Sequence, residues 1–274
     1  MRLHRPPVEP VRLRNLFGLC MAFALALAAS VPLHAQAEDE YEFDDIPVDD
    51  ARQYYVAVGG GYLGMLVFPK FDELNKLSDR VGVPHFEGQL LMNGGGGLIS
   101  PQVIPNLRIG VFGAGGSRIS QTNVTLSGVE YTRSLRFGSV VTGGQADYAI
   151  RLFRSFTILP GIMIGGGTYT LELSQSRTEG EEFNNVFPGA GDPLNGNNRY
   201  ARITRSHLFY YPAVNLEYAF TQFIMVRAGA GYSGTSFDGI WVDDGGTQIN
   251  NVPDISASGL TLQFGLFIGL FQTQ

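Results

Sequence analysis

The chain has 274 residues, of which 44% are hydrophobic, 12% aromatic and only 16% charged. This balance excludes a disordered chain, which would carry more charge and fewer aromatic residues, and the length fits one large domain or two small ones. A net charge of −6 and a pI near 5.2 argue against a nucleic-acid partner, which requires a basic face. The single cysteine excludes a disulfide framework and a cysteine-based zinc site.

The N-terminus has the pattern of a secretory signal peptide. Arginines lie between Arg2 and Arg14, positions 16–31 are free of charge, and Ala35 and Ala37 provide the small residues of a cleavage site. The alternative is a single membrane anchor, which needs about 20 apolar residues. We therefore predict a signal peptide over residues 1–37.

An acidic segment follows the predicted cleavage site. Residues 38–50 contain eight acidic side chains and no basic one. Runs of like charge are usually solvated, so we expect 38–51 to be an acidic N-terminal tail in the periplasm. The alternative is a segment that captures a basic partner or divalent cations. The folded domain is expected over 52–274.

Beyond the tail, apolar and polar residues alternate with the period of β-strands. The fourth predicted strand changes its apolar face near Ser139. The last three strands place large apolar residues on one face and small or polar residues on the other. The fold class predicted is all-β, and the strands lie near 53–68, 88–99, 106–120, 128–150, 155–175, 207–220, 224–233 and 260–271.

The connections between these strands alternate in length. Short connections are expected at 100–105, at 151–154 and at the pair Thr221 and Gln222. Such alternation is typical of an eight-stranded antiparallel up-and-down transmembrane β-barrel, with short periplasmic turns and longer external loops. The longer connections are 69–87, with a short helix over 71–80, and 121–127, 176–204 and 237–257.

A barrel that faces lipid has its apolar side chains outside and its polar or small side chains in the lumen. Aromatic residues then gather at the two membrane interfaces. The girdle near the short turns is predicted to contain Tyr54, Tyr55, Tyr148, Phe156, Tyr218, Phe220 and Phe223. The girdle near the long loops is predicted to contain Tyr62, Phe68, Tyr169, Tyr232, Phe237 and Trp241.

With this pattern, residues 52–272 resemble the small bacterial outer-membrane β-barrel family of the eight-stranded type. The last strand also partly matches the assembly signal of that family, at Gln263, Gly265, Ile268 and Leu270. The resemblance implies a location in the bacterial outer membrane with both termini in the periplasm. It also implies contact with outer-membrane lipid and, during biogenesis, with the barrel-assembly machinery.

The lumen of an eight-stranded barrel is just wide enough for side chains to fill it. Glu217 and Arg227 are nearly symmetric about the turn at 221–222, which predicts that they are cross-strand or diagonal neighbours. We interpret the charged residues as structural lumen charges, since a buried charge has to be paired; the alternative is a gated, narrow ion path. The polar residues assigned to the lumen are Arg108, Gln145, Asp147, Asn215, Glu217, Arg227 and Gln263.

No catalytic, cofactor-binding or metal site is predicted. Residues 229–234 match the spacing of a dinucleotide-binding loop, but their glycines alternate within a strand and a polar loop follows. Only His85 and His207 follow the signal peptide, too few for a His-rich metal site. Ser206 and His207 are adjacent on a strand and therefore point to opposite faces. We expect a protein without a cofactor that is not an enzyme.

The sequence thus predicts a non-enzymatic outer-membrane barrel with a structural or interaction role, its lumen plugged by polar and charged side chains. An extracellular ligand or protein is expected at the loops 69–87, 176–204 and 237–257. Three alternatives stay open: a narrow porin or channel, a lipid-modifying outer-membrane enzyme, and a soluble lipocalin-like periplasmic carrier.

Overall fold

A ring of eight β-strands is the main feature of the fold. The structure, a computed structural model, describes residues 56–101, 103–153, 155–179, 199–236 and 239–271. The predicted signal peptide and acidic tail lie outside the described residues. In chain order the elements are β1 (Ala57–Pro69), α1 (Asp72–Val81), β2 (Leu90–Ile99), β3 (Leu107–Leu126), β4 (Val129–Tyr148), β5 (Ile150–Phe153), β6 (Phe156–Arg177), β7 (Arg199–Ala219), β8 (Ile224–Ser236), β9 (Trp241–Asp243), β10 (Gln248–Ile249) and β11 (Gly259–Phe271).

Each ring strand is antiparallel to both of its neighbours, and the first strand meets the last. The order around the ring is β1, β2, β3, β4, β6, β7, β8 and β11. The ring closes because β11 pairs with β1, from Phe271 opposite Ala57 to Gly259 opposite Pro69. A closed ring satisfies the backbone polar groups within the wall. The predicted eight-stranded antiparallel up-and-down barrel is confirmed.

With the exception of the two-residue turn 127–128, the connections sort by length onto the two ends of the barrel. Ala57 and Phe271 lie at the end that carries the connections 100–106, 149–155 and 220–223, which we call the short-turn end. The opposite end, which we call the loop end, carries the connections 70–89, 127–128, 178–198 and 237–258.

The connection predicted over 121–127 is shorter than expected. β3 continues to Leu126 and β4 begins at Val129, so the turn consists of Ser127 and Gly128, with φ of 52° and 83°. Two consecutive residues at positive φ are typical of a type I′ hairpin turn, whose twist matches that of the strands. The polar residues 121–125 stay extended because they pair with β4.

The predicted change of face at Ser139 is wrong. Odd-numbered residues of β4 point inward along the strand, including Tyr131, Leu135, Ser139 and Asp147, all of which are buried. The apolar residues change sides in the sequence because the lumen changes in polarity along its length. It is apolar around Leu135, toward the loop end, and charged around Asp147, toward the short-turn end.

Four adjacent strands extend beyond the others at the loop end. β3, β4, β6 and β7 have 20, 20, 22 and 21 residues, whereas β1, β2, β8 and β11 have 13, 10, 13 and 13. At about 3.3 Å per residue, the mean difference of about 8.5 residues adds about 28 Å of strand. We call the extension formed by 117–126, 129–138, 168–177 and 199–206 the protruding sheet.

Helix α1 lies between β1 and β2, close to the predicted range 71–80. Asp72 and Glu73 occupy its first turn and Arg80 its last turn, an arrangement that favours the helix dipole. Gly82 ends the helix in the left-handed conformation, at φ 71°. Leu74 is buried against the barrel. No helix among the described residues is long and apolar enough to cross a membrane.

Candidate functional site

The outer surface of the barrel carries a band of large apolar side chains. The inward-pointing residues of β11 include Thr261 and Gln263, both buried. The predicted faces of the last three strands are therefore confirmed, and the arrangement is typical of a barrel that faces lipid. The exposed apolar residues of these strands include Leu208, Val214, Leu216, Ile224, Leu260, Leu262, Phe264, Leu266, Ile268 and Leu270.

Exposed aromatic residues lie at both ends of this band. Tyr218 and Phe220 pack edge to face near the short turns, with ring centroids 4.9 Å apart. The assignment of Tyr169 and Trp241 to the outer girdle is wrong, because both side chains are buried. Tyr54, Tyr55 and Phe237 lie outside the described residues. The predicted girdle residues that are exposed are Tyr148, Tyr218, Phe220 and Phe223 near the short turns, and Tyr62, Phe68 and Tyr232 toward the loop end.

Four charged side chains meet in the lumen near the short-turn end; we call them the charge cluster. Arg108 donates to Asp147 Oδ2 from Nε and Nη2, at 3.1 and 2.5 Å, and also donates from Nη1 to Glu217 Oε1. Arg227 Nε donates to the same Glu217 oxygen at 2.8 Å. The four side chains are at most 3% exposed.

Strand register explains how the charge cluster assembles. Arg108 lies opposite Asp147 on the β3–β4 pair, and Glu217 lies opposite Arg227 on the β7–β8 pair. Strand β6 separates the two pairs and presents Gly161 opposite Asp147. A Cβ at position 161 would overlap Asp147 Oδ1, so this close approach requires glycine. Arg108 can then reach across the lumen to Glu217.

The charge cluster is neutral, because two carboxylates and two guanidinium groups alternate within it. Each buried ion has an oppositely charged partner, as burial of charge demands. Gln145 Nε2 also donates to Asp147 Oδ2 at 3.3 Å. The Arg227 guanidinium carbon lies 4.7 Å from the centre of the Phe267 ring, a cation–π contact. The cluster therefore ties together four ring strands and obstructs the lumen.

Large apolar side chains fill the lumen between the charge cluster and the loop end. The rings of Phe112 and Phe209 lie 5.8 Å apart, and those of Phe137 and Tyr169 lie 5.4 Å apart. Buried Tyr211 donates its hydroxyl to the carbonyl of Thr261 at 3.2 Å. The expectation that polar and charged side chains plug the lumen thus describes only its short-turn end. Phe137 and Tyr169 lie on the paired strands β4 and β6, whereas Phe112 and Phe209 lie on β3 and β7, which are not neighbours, so that only closure of the ring brings the latter two together.

The connection between β1 and β2 folds onto the barrel at the loop end; we call residues 70–89 the mouth segment. Phe71 contacts Phe86 of the same segment and Phe137 of β4, with ring centroids 5.8 and 6.5 Å apart. The apolar side chains of this loop therefore face the barrel. Three ring side chains also hold its backbone: Arg133 Nη1 donates to Val81 O at 2.8 Å, Ser120 Oγ to Pro84 O at 2.5 Å, and Arg118 Nη2 to Glu87 O.

Sequence reasoning missed Arg118 and Arg133 as anchors of the mouth segment. Each lies on an inward-facing position of a predicted strand, where an arginine needs a buried acceptor. That placement was a usable signal, although the acceptors are backbone carbonyls of a distant loop and leave no trace in side-chain patterns.

His207 is buried and stacks on Tyr169, with ring centroids 4.0 Å apart. Neither of its ring nitrogens has a hydrogen-bond partner among the described residues, and Ser206 is exposed on the other face. Within the described ranges, the side chains therefore form no hydrogen-bonded catalytic triad at His207. No group of three or more His, Cys, Asp or Glu in that part of the chain is arranged to hold a metal ion.

Neither a protein-family model nor a curated protein matches the sequence. Among solved structures, Ail, the attachment invasion locus protein of Yersinia pestis, has 11% identity and a TM-score of 0.32, over 80% of this chain and 98% of that chain. A major outer membrane protein from Thermus thermophilus has 10% identity and a TM-score of 0.41, over 78% and 99%. CarO2 of Acinetobacter baumannii has 11% identity and a TM-score of 0.29, over 78% and 99%. These proteins are of the small outer-membrane β-barrel kind that the sequence resembles.

Proposed function

We propose that this protein is an outer-membrane β-barrel that acts through its external surface, without enzymatic chemistry and without conducting solutes. The apolar outer band supports contact with outer-membrane lipid. Ala57 and Phe271 lie together at the short-turn end, so we place both termini in the periplasm. Insertion of such a barrel requires the barrel-assembly machinery.

The main observation that supports a barrel without channel activity is its filled lumen. Three layers obstruct it in succession: the charge cluster, the aromatic residues around Phe112 and Phe209, and the mouth segment anchored by Phe71. An ion would have to displace a buried salt bridge and then cross an apolar layer. Both steps are costly for a charge.

The protruding sheet supports an interaction role. It extends four strands beyond the rest of the barrel on the loop end, which we take as the cell exterior. The predicted loops 176–204 and 237–257 belong to the same end, although β7 begins at Arg199, so the first of them is the shorter connection 178–198. We propose these loops, together with the polar face of the mouth segment, as contact surfaces for an extracellular ligand or protein. The buried apolar side chains of the mouth segment do not contribute to such a surface.

Fractionation and gel migration test the location, and bilayer recording tests the closed lumen. We expect the protein in the outer-membrane fraction, with faster migration before boiling than after, and no steps of conductance in planar bilayers. A periplasmic protein whose migration ignores heating would overturn the membrane location and favour a lipocalin-like carrier. Regular conductance steps would favour a narrow channel instead. Lipid A that changes in mass on deletion of the gene or on His207→Ala would favour an enzyme.

A further inference from the structure

His207 lies on the inner face of β7, next to the protruding sheet. Its ring stacks on Tyr169 of β6, with the centroids 4.0 Å apart and the ring planes 16° apart. Gly167 lies opposite His207 on the β6–β7 pair, and a Cβ at position 167 would overlap the imidazole. The ring therefore contacts both the backbone of Gly167 and the face of Tyr169, and His207 is only 5% exposed.

The hydroxyl of Tyr169 also holds the end of the connection between β10 and β11. Ala257 donates its backbone N–H to Tyr169 Oη at 2.9 Å. The side chains of Ile255 and Ala257 are buried in the apolar cluster that includes Tyr169. We call residues 254–258 the strap. The strap is therefore attached to the same tyrosine on which His207 stacks.

Arg205 is the charged side chain next to His207 on the inner face of β7. It lies opposite Tyr169, the titratable group that β6 presents to His207, and donates from Nη1 to Asp254 Oδ1 of the strap at 3.3 Å. The side chain of Asp254 is 75% exposed and pairs with Arg205. The other inward side chains at this level of the barrel carry no charge: Ser139 and Val141 of β4, Phe209 of β7 and Thr235 of β8.

These surroundings favour the neutral form of the imidazole. Burial costs the charged ring more hydration than it costs the neutral ring. Neither ring nitrogen has a hydrogen-bond partner in the described part of the chain, so no acceptor compensates for a proton gained in acid. The positive charge of Arg205 adds repulsion. The face of Tyr169 attracts a cation, but it offers no acceptor to the imidazolium N–H groups.

We propose that His207 is a pH-sensitive switch that releases the strap from the loop end in acidic medium. This inference rests on the proposed function and concerns the regulation of the contact surface assigned to 237–257. With His207 neutral, Tyr169 stays in the stack and holds Ala257. Hydration of the protonated ring requires the stack to open, and the strap then loses its attachment. The contact surface therefore differs between neutral and acidic medium.

Proton linkage gives the direction and the size of the effect. In the open form His207 is hydrated and titrates near the ordinary histidine pKa of about 6.5, whereas in the closed form it stays neutral. The open form thus binds more protons, so the equilibrium constant for opening rises as the pH falls below about 6.5. Between pH 7.5 and pH 5.0 the rise is about 30-fold.

Cysteine labelling of the full mature chain in lipid nanodiscs tests the proposal. The reporter is Ala257→Cys, because Ala257 is 6% exposed and a buried thiol reacts only while the strap is open. Its rate of labelling by a small methanethiosulfonate is divided by the rate for Asn250→Cys, an exposed position of the same connection. This division removes the pH dependence of the thiol itself. The chain's own Cys20 lies within the predicted signal peptide.

We expect the normalised rate at Ala257→Cys to rise about 30-fold from pH 7.5 to pH 5.0 when His207 is present. His207→Phe keeps a ring for the stack but binds no proton, so its rate should change by less than about twofold. His207→Leu, measured in parallel, also lacks the titratable group and covers the case in which phenylalanine does not fit beside Gly167. His85→Gln is the histidine control, because His85 is exposed and pairs with Asp79 at 2.8 Å; it should keep the 30-fold rise.

Three results would overturn the switch. A constant rate in the protein with His207 would show that the strap does not respond to pH. An equal rise in His207→Phe and His207→Leu would assign the response to another group. An equal rise at Ala57→Cys, a buried position at the short-turn end, would show that the whole barrel loosens in acid. Heat-dependent migration of the same samples reports separately whether the proposed membrane barrel is right.

Discussion

Glu217 and Arg227 lie directly opposite each other on β7 and β8, with Arg227 Nε 2.8 Å from Glu217 Oε1. The same carboxylate oxygen also accepts a hydrogen bond from Arg108 of β3. Glu217 is therefore the central acceptor of the charge cluster, and it links strands that are distant in sequence and lie on different sides of the lumen.

Replacing Glu217 should destabilise the barrel strongly. Glu217→Gln leaves two buried guanidinium groups with only Asp147 as a counter-ion, so we expect a loss of about 3–5 kcal/mol in the free energy of unfolding. Denaturant titration in lipid vesicles, followed by gel migration, measures this loss.

The matched control for this change is Glu172→Gln. Glu172 forms partly exposed pairs with Arg136 and Arg202, at 3.5 Å each, and ion pairs in contact with solvent contribute about 0–1 kcal/mol. Equal losses for the two variants would contradict the structural role of the charge cluster.

The cost of an arginine substitution on the outer face, in free energy of unfolding, should differ between the membrane-embedded wall and the protruding sheet. Leu266 is exposed near the middle of β11, so Leu266→Arg should cost about 2–4 kcal/mol in a bilayer. Ile119 is equally apolar and exposed but lies on the protruding sheet, so Ile119→Arg should cost less than about 0.5 kcal/mol. Unfolding in vesicles measures both free-energy costs. A similar cost at the two sites would show that the membrane band has been assigned to the wrong part of the wall.

Loss of Phe71 should release the mouth segment without unfolding the ring. This side chain is buried between Phe86 and Phe137, and truncation of a buried phenylalanine costs about 3–5 kcal/mol. We expect trypsin to cleave after Lys76 and Arg80 much faster in Phe71→Ala than in the wild type. Glu87→Ala, at an exposed position of the mouth segment, should leave the cleavage rate unchanged, and slow cleavage of both variants would argue against this anchor.

The stability of the hairpin turn at Ser127 and Gly128 should depend on backbone conformation and not on side-chain contacts. Gly128 has φ 83°, and no atom lies within 4 Å of a Cβ added there. Gly128→Val should therefore destabilise the turn through strain of about 1–2 kcal/mol, seen as faster amide exchange near the tip. Ser127→Asn should be neutral or stabilising, because asparagine tolerates positive φ. Faster exchange in the asparagine variant would contradict the assigned turn.

Alternation of residue types made the ring predictable. In β11 the outward leucines and the inward Thr261 and Gln263 differ so clearly that sequence alone gives the faces. The short turn at 221–222 likewise made the position of Glu217 relative to Arg227 predictable. In a hairpin, residues at equal distances from the turn lie opposite each other on the two strands. The same reasoning fails for β4, because its inward residues change from apolar to charged along one face.

The sequence by itself determined the number of strands, the faces of the last three strands and the positions of the three longest loops, because these depend on local alternation and on turn-forming residues. Only the tertiary structure decided what occupies the lumen. Arg108 meets Glu217 and Phe112 meets Phe209 because the ring closes and brings distant strands across a space one side chain wide. Phe71 meets Phe137 because the mouth segment folds onto the loop end of the ring.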